Sequence, residues 1–283
     1  ATELGGPKVH GRNGVAHLAA DHDVHAAELV RAALSHLPST AGGPLPLHPP
    51  DDPEPGDPEA VLPTRAREVY DVRDVAARLL DGGELLELGP RWARNLVTGF
   101  ARIEGSPVGI IANQPRHLGG CLDAESSQKG AWFVDLCDRF GVPLVVLVDT
   151  PGFLPGVGQE QAGVIRHGAS LLRAFSVATT PRVTVTLRQA YGGAHIVMNS
   201  RDLGADLTLA WPDAKIGVMG SRQAVEVVNR RELAAGADAD ALAAAYAAEH
   251  LPVRVAAERG FVDEIVAPSD TRERIAFALE SAR

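Results

Sequence analysis

The stretch Tyr191-Gly192-Gly193-Ala194 sits between the β-type run Val183-Thr184-Val185-Thr186-Leu187 and the helix-compatible segment Ala194-His195-Ile196-Val197-Met198-Asn199. Paired glycines let a carbonyl-bearing ligand approach the backbone, and the first turn of a helix carries unpartnered N–H groups at its positive end. Such amides suit an oxyanion hole, holding negative charge that develops on a carbonyl oxygen. The same pattern also reads as a tight strand-to-helix turn with no ligand role. A second glycine-rich exit, Asp149-Thr150-Pro151-Gly152-Phe153-Leu154-Pro155-Gly156, follows the apolar run 143–148. Loops beyond strand C-termini line the ligand crevice of open α/β sheets, so the two exits together point to a shared pocket more strongly than either alone. A third exit, Asn113-Gln114-Pro115-Arg116-His117-Leu118-Gly119-Gly120, offers His117 as an acid or base by type. The sequence pairs it with no carboxylate, and a loop hydrogen-bonder is the simpler reading. His167 reads as a packing or helix-surface residue, Arg166 as a guanidinium shaped to meet a carboxylate, and His195 as a wall of the pocket.

Alternating strands and helices must position these loops. Residues 1–38 read as a glycine-rich loop, a short strand near Val15-Ala16-His17-Leu18, and a helix with Ala26, Leu29, Val30, Ala33 and Leu34 at helical spacing. Residues 41–63 are dense in Pro, Gly and acid and read as a linker or extended arm, too poor in apolar residues to pack. Beyond them the pattern predicts helices over 73–80, 127–140, 163–175, 194–200 and 271–279, and a helical region over 224–258. Strands are predicted over 85–88, 96–103, 108–111, 143–148, 182–187, 207–211, 215–218 and 262–266. Continuous apolar strands between helices indicate an α/β domain with helices flanking the sheet.

A formal net charge of −9 and no Lys/Arg-rich block argue against a broad nucleic-acid-binding face, while leaving room for a local basic pocket. No apolar run approaches membrane-spanning length and no secretory signal opens the chain, so no membrane partner is expected and a cytoplasmic location is. Cys121 and Cys137 form no CxxC pattern, which suggests a reducing compartment, and Cys137 reads as a small core residue. His10, His17, His22 and His25 have irregular spacing and read as surface residues, leaving no metal cluster. Missing P-loop, G-x-G-x-x-G, G-x-S-x-G and H-E-x-x-H patterns leave ATP hydrolysis, Rossmann redox chemistry, lipase-type hydrolysis and zinc proteolysis unsupported. The opening Ala1-Thr2-Glu3-Leu4-Gly5-Gly6-Pro7 lacks an initiator Met and reads as a cut through a longer protein.

The motifs PRWARNLVTGFARIEG, ANQPRHLGGCLD, VDTPGFLPG, GVIRHGA, AYGGA, NSRDLGAD and KIGVMG follow one another from residue 90 to residue 220. Together with the opening LGGPKVHGRNGVAH they resemble the carboxyltransferase (β) subunit of biotin-dependent acyl-CoA carboxylases of the propionyl-CoA/acetyl-CoA type. The resemblance covers practically the whole chain. It implies a crotonase-like (ClpP/crotonase) spiral α/β fold, with 1–40 as the end of an N-terminal carboxyltransferase domain. Residues 41–66 would be the linker and 67–283 a complete C-terminal carboxyltransferase domain.

That family moves a carboxyl group from carboxybiotin to the α-carbon of a short acyl-CoA, so the resemblance implies biotin on a separate carrier and acyl-CoA as substrate. It assigns Gly192 and Gly193 as amide donors to the biotin ureido oxygen, and Gly152, Phe153, Tyr191, Ala194, His195 and Ile196 as substrate- or biotin-binding residues. The biotin side of the site would be supplied here and the acyl-CoA side by an N-terminal domain of another protomer. Implied partners are a hexamer of β subunits and a biotin carboxylase/biotin carrier (α) subunit, since this chain has no biotin-attachment signal. Biotin can itself remove the α-proton in this family, so no side-chain base is required and neither Asp149 nor Glu160 is needed as one. Relatives often carry Tyr-Asp after AYGGA where this chain has His195-Ile196. Ile196 falls where the family tunes acyl-chain choice, leaving propionyl-CoA, acetyl-CoA or a longer acyl-CoA open. Other readings are a biotin-dependent decarboxylase or transcarboxylase component, a crotonase-type hydratase or isomerase, and a CoA-binding module without biotin chemistry.

Overall fold

Alternation along the apolar run after Pro143 shows how the fold is organised: Leu144, Val146 and Val148 enter one hydrophobic cluster, Val145 and Leu147 another. A strand buried on both faces needs a layer on each side. A computed structural model describes residues 4–65 and 68–282. Among them eight strands form one sheet in the order β1-β2-β3-β4-β5-β6-β8, with β7 also pairing β5. They are β1 (Leu86–Glu87), β2 (Leu96–Ile103), β3 (Ser106–Asn113), β4 (Leu144–Thr150), β5 (Arg182–Tyr191), β6 (Leu207–Ala210), β7 (Lys215–Gly217) and β8 (Glu264–Ile265). The first three pair antiparallel, and from β3 onward every pairing is parallel, so the exits of β3, β4 and β5 lie at one end.

One face is covered by the helices Ala124–Phe140, Val164–Val177, Gly192–Val197 and Val253–Glu258, whose apolar residues join the first cluster. The other carries Val72–Ala77 and Thr271–Ser281, packed through Val72, Val75, Ile275 and Leu279. Asp123 caps the long helix: its carboxylate accepts from Ser126 N and Ser126 Oγ from Asp123 N, each at 2.8 Å. This capping box starts the helix three residues before the predicted 127, and Gly141 ends it in the left-handed conformation, φ 66.

Several expectations need correction. The segment Val15-Ala16-His17-Leu18 is not a strand, having no neighbouring strand to pair with. His17 instead stacks on Trp132 at 3.8 Å and its carbonyl accepts from Gly89 N. The arm does pack, with Leu45, Val61 and Leu62 set against the two clusters and its backbone hydrogen-bonded to the domain. His48 N bonds to Gly105 O, Glu54 N to Ala77 O, Gly82 N to Asp52 O, and Arg102 Nη1 to Pro46 O. The predicted helical region 224–258 is four helices, Ser221–Val228, Arg230–Ala234, Ala239–His250 and Val253–Glu258. The boundary set at residue 66 and the opening Ala1-Thr2-Glu3 lie outside the described residues. No described helix is long and apolar enough to cross a membrane.

Candidate active site

β5 runs through Arg188 and Gln189 to Tyr191, and the helix starts at Gly192 rather than at the predicted Ala194. Gly192 adopts φ 59, and a Cβ there would lie 2.9 Å from Val218 O, so glycine is demanded twice over. Tyr191 lends the helix no side-chain cap, leaving the first-turn N–H groups without a capping acceptor. The turn is fixed from behind. Thr184 Oγ1 donates to Asn199 O at 2.7 Å and accepts from Asn199 Nδ2 at 2.9 Å, holding Asn199 (φ 57) just past the helix.

The β4 exit reaches the same place. Leu122 N bonds to Gly152 O at 3.0 Å and Leu154 N to Leu122 O at 2.7 Å, clamping the loop on both sides of Phe153. The Phe153 ring then lies between two glycines. A Cβ on Gly168 would stand 2.9 Å from its Cζ, and one on Gly193 would stand 3.6 Å from its Cε2.

Two apolar grooves meet at this point, with Gly193 and Ile196 lining both. One, of about 640 Å³, continues past Gly192, His195, Val218, Leu251 and Phe261. The other, of about 520 Å³, runs along Phe153, Leu154, Pro155, Glu160 and Ile165. Burial pushes the His195 imidazole below its ordinary value, with Asp202 working the other way, so the ring is neutral at neutral pH. A larger cleft of about 820 Å³ lies on the arm side of β5, lined by Arg188, Tyr191, Trp211 and Lys215. It does not touch the paired glycines.

The structure therefore brings Gly192, Gly193, Phe153, His195 and Ile196 together. Tyr191 faces the other cleft, Ala194 is fully buried, and Gly152 contributes a carbonyl to the loop clamp. His117 lines neither groove; burial first, then Arg94, hold its imidazole below the ordinary value. Arg166 Nη2 lies 3.2 Å from His167 Nε2 on an exposed helix face. Cys137 is buried as expected. No described group of three or more His, Cys, Asp or Glu side chains could hold a metal ion.

Three features escaped the sequence reading. Gly168 is needed for its missing side chain, a signal present only as a glycine within a helical pattern. Lys129 is buried and donates to the carbonyls of Gly89, Trp92 and Leu96 at 2.7–3.0 Å, and burial lowers its pKa to about 8. Buried Asp149 and half-buried Arg188 form an ion pair whose partners are remote in sequence.

A model of the carboxyl transferase domain matches residues 1–283. The chain belongs to the carboxyl transferase domain family. Among its relatives in this family, the methylmalonyl-CoA carboxyltransferase 12S subunit of Propionibacterium freudenreichii subsp. shermanii is 47% identical over 99% of this chain and 55% of its own length. The propionyl-CoA carboxylase carboxyltransferase subunit of Haloferax mediterranei is also 47% identical, over 96% of this chain and 54% of its own. The solved transcarboxylase 12S hexamer, with methylmalonyl-CoA and methylmalonic acid bound, superposes with a TM-score of 0.94 at 45% identity. That match covers 100% of this chain and 56% of the other. The crotonase-like carboxyltransferase fold expected from the motifs is thus the fold observed. The chain spans about half the length of the relatives it matches.

Proposed function

We propose that this chain supplies the biotin side of a carboxyltransferase active site, moving a carboxyl group between carboxybiotin and the α-carbon of a short-chain acyl-CoA. The observation that carries this reading is the uncapped helix start at Gly192 where two apolar grooves meet. Residues 1–40 are then the end of an N-terminal carboxyltransferase domain, 41–66 the connecting arm and 67–283 the C-terminal domain. The complete protein works in the cytoplasm as a hexamer of such subunits with a biotin carboxylase/biotin carrier partner.

The residues fit a ureido ring: apolar walls, one aromatic face and amide donors at the junction. Carboxybiotin, delivered on its carrier, supplies the carboxyl group and, once relieved of it, the base for the α-proton. The Gly192 and Gly193 amides hold the negative charge that grows on the ureido oxygen as the N–CO₂ bond breaks. Phe153 and Ile196 keep water from that oxygen, which strengthens the same hydrogen bonds. His195, neutral at this pH, adds no competing charge. Asp149 lines neither groove, and Glu160, which lines one, is solvent-exposed, consistent with a reaction needing no side-chain base.

A transcarboxylase component is the second reading, favoured by the 47% identity to a methylmalonyl-CoA carboxyltransferase subunit. Both readings use the same half-reaction. The test is decarboxylation of malonyl-CoA and methylmalonyl-CoA by the full-length subunit, with and without free biotin. Biotin-dependent loss of CO₂ is expected, and the faster substrate reports what Ile196 selects. Turnover indifferent to biotin, or none from a folded hexamer, overturns the reading.

A further inference from the structure

Asp149 is fully buried, lines neither groove and has no part in the chemistry above. Tyr70 Oη donates to its Oδ2 at 2.8 Å, and Arg188 Nε stands 3.0 Å from the same oxygen. Arg188 also donates through Nη1 to Glu68 O at 2.9 Å, and its guanidinium lies 5.4 Å from the Tyr70 ring centre. Asp149 Oδ1 and Arg188 Nε find no aligned hydrogen-bond partner among the described residues. From the other side, Asn113 Oδ1 accepts from Asp149 N at 3.2 Å, and a Cβ on Gly120 would strike Asp149 O at 2.4 Å. An ion pair whose carboxylate is fully buried while its guanidinium stays partly exposed is a poor stabiliser, because desolvation of the carboxylate offsets the attraction. Its location suggests a different use.

The β4–β5 ladder runs in register to Val148↔Thr186 and resumes at Thr150↔Ala190. Across that step β4 advances through Asp149 alone, while β5 advances through Leu187, Arg188 and Gln189. Here too β5 exchanges its neighbour: residues through Thr186 pair β6, and residues from Gln189 pair β7. Were the two extra residues drawn out into the ladder instead of bulged, the glycine turn would sit roughly 7 Å further along the strand, at about 3.3 Å per residue. It would then miss Phe153. Bulges of this kind commonly re-aim groups next to active sites.

Resting on the proposed function, we infer that Asp149, with Arg188 and Tyr70, is a positioning device: it locks the β5 bulge and so sets where the Gly192–Gly193 amides stand against Phe153. Loss of the carboxylate releases Arg188 and lets the bulge relax, moving the amides while the grooves keep their walls. A misplacement of about 1 Å is worth around a hundredfold in rate.

The test uses the full-length subunit with Asp149→Asn, and with the apolar triple variant Asp149→Leu/Arg188→Met/Tyr70→Phe, which removes the buried charges together. Asp149→Asn is expected to lower kcat for biotin-dependent decarboxylation at least tenfold with the KM for acyl-CoA unchanged. Amide exchange at 192–197 should quicken while that at 144–148 stays protected. The triple variant should recover the melting temperature without recovering kcat. Equal recovery of both, or unchanged kcat and exchange in Asp149→Asn, overturns the inference. Should the unsubstituted subunit show no biotin-dependent turnover, the proposed function fails, and the exchange measurement still decides whether Asp149 holds the turn.

Discussion

Gly168→Ala separates the demands of the helix from those of the site. Gly168 lies inside the helix Val164–Val177, where alanine normally gains about 0.5–1 kcal/mol over glycine. The new methyl would stand 2.9 Å from Phe153 Cζ and 3.1 Å from Cε1. Carbon atoms rest at about 3.5 Å or more, so the ring must yield by roughly 0.6 Å. Movement directly away from Gly168 carries it toward Gly193, whose own Cβ position is 3.6 Å from the ring. Overpacking of this order costs about 1–3 kcal/mol, so the net loss of stability is about 0–2.5 kcal/mol. At about 2–4 °C per kcal/mol the melting temperature falls by no more than about 10 °C. Turnover suffers more: with the ring pressed onto the amide turn, kcat for biotin-dependent decarboxylation should fall about 10- to 100-fold. The assay compares kcat and melting temperature of the full-length subunit with and without the substitution. A melting temperature that rises together with unchanged kcat would refute the argument, showing that the ring is not held between the two glycines.

Three further substitutions probe the supports of the fold around the site. Gly120→Ala puts a Cβ 2.4 Å from Asp149 O at φ 79, whereas Gly119→Ala, at φ 61, meets nothing within 4 Å. The first should cost about 3 kcal/mol or more and the second only the left-handed penalty of about 1–2 kcal/mol, read from urea midpoints. Lys129 has its pKa lowered to about 8, so between there and 10.5 the unfolded chain binds a proton that the folded one has released. Stability relative to Lys129→Met should therefore rise with pH across that window, by about 3 kcal/mol, and a flat difference would show that Lys129 titrates normally.

Legibility in the sequence followed the range of the signals. β2 lies at its expected bounds, Leu96–Ile103, because a long apolar run between turn signals is a local pattern. The glycine turn was legible for the same reason, and so were Phe153 and Ile196 once the motifs fixed their places. β5 was expected to stop at 187 but continues to Tyr191. Arg188 and Gln189 look like a polar loop until Asp149, 39 residues earlier, is seen to meet Arg188. Nothing local announces that pairing. Lys129 was hidden likewise, since a lysine on a helix reads as solvated and its three acceptors lie in the turn before β2 and at the first residue of that strand. The false strand at 15–18 shows the converse, a β-type pattern that has no strand beside it.

The central claim is that backbone amides at the paired glycines carry the reaction, and Gly193→Pro in the full-length subunit tests it most directly. Proline is tolerated in the first turn of a helix and removes one N–H without adding a polar group. With melting temperature and acyl-CoA KM held, kcat for biotin-dependent decarboxylation should drop about 100- to 1000-fold, the usual consequence of deleting an oxyanion donor. A folded variant that retains its kcat would contradict the account.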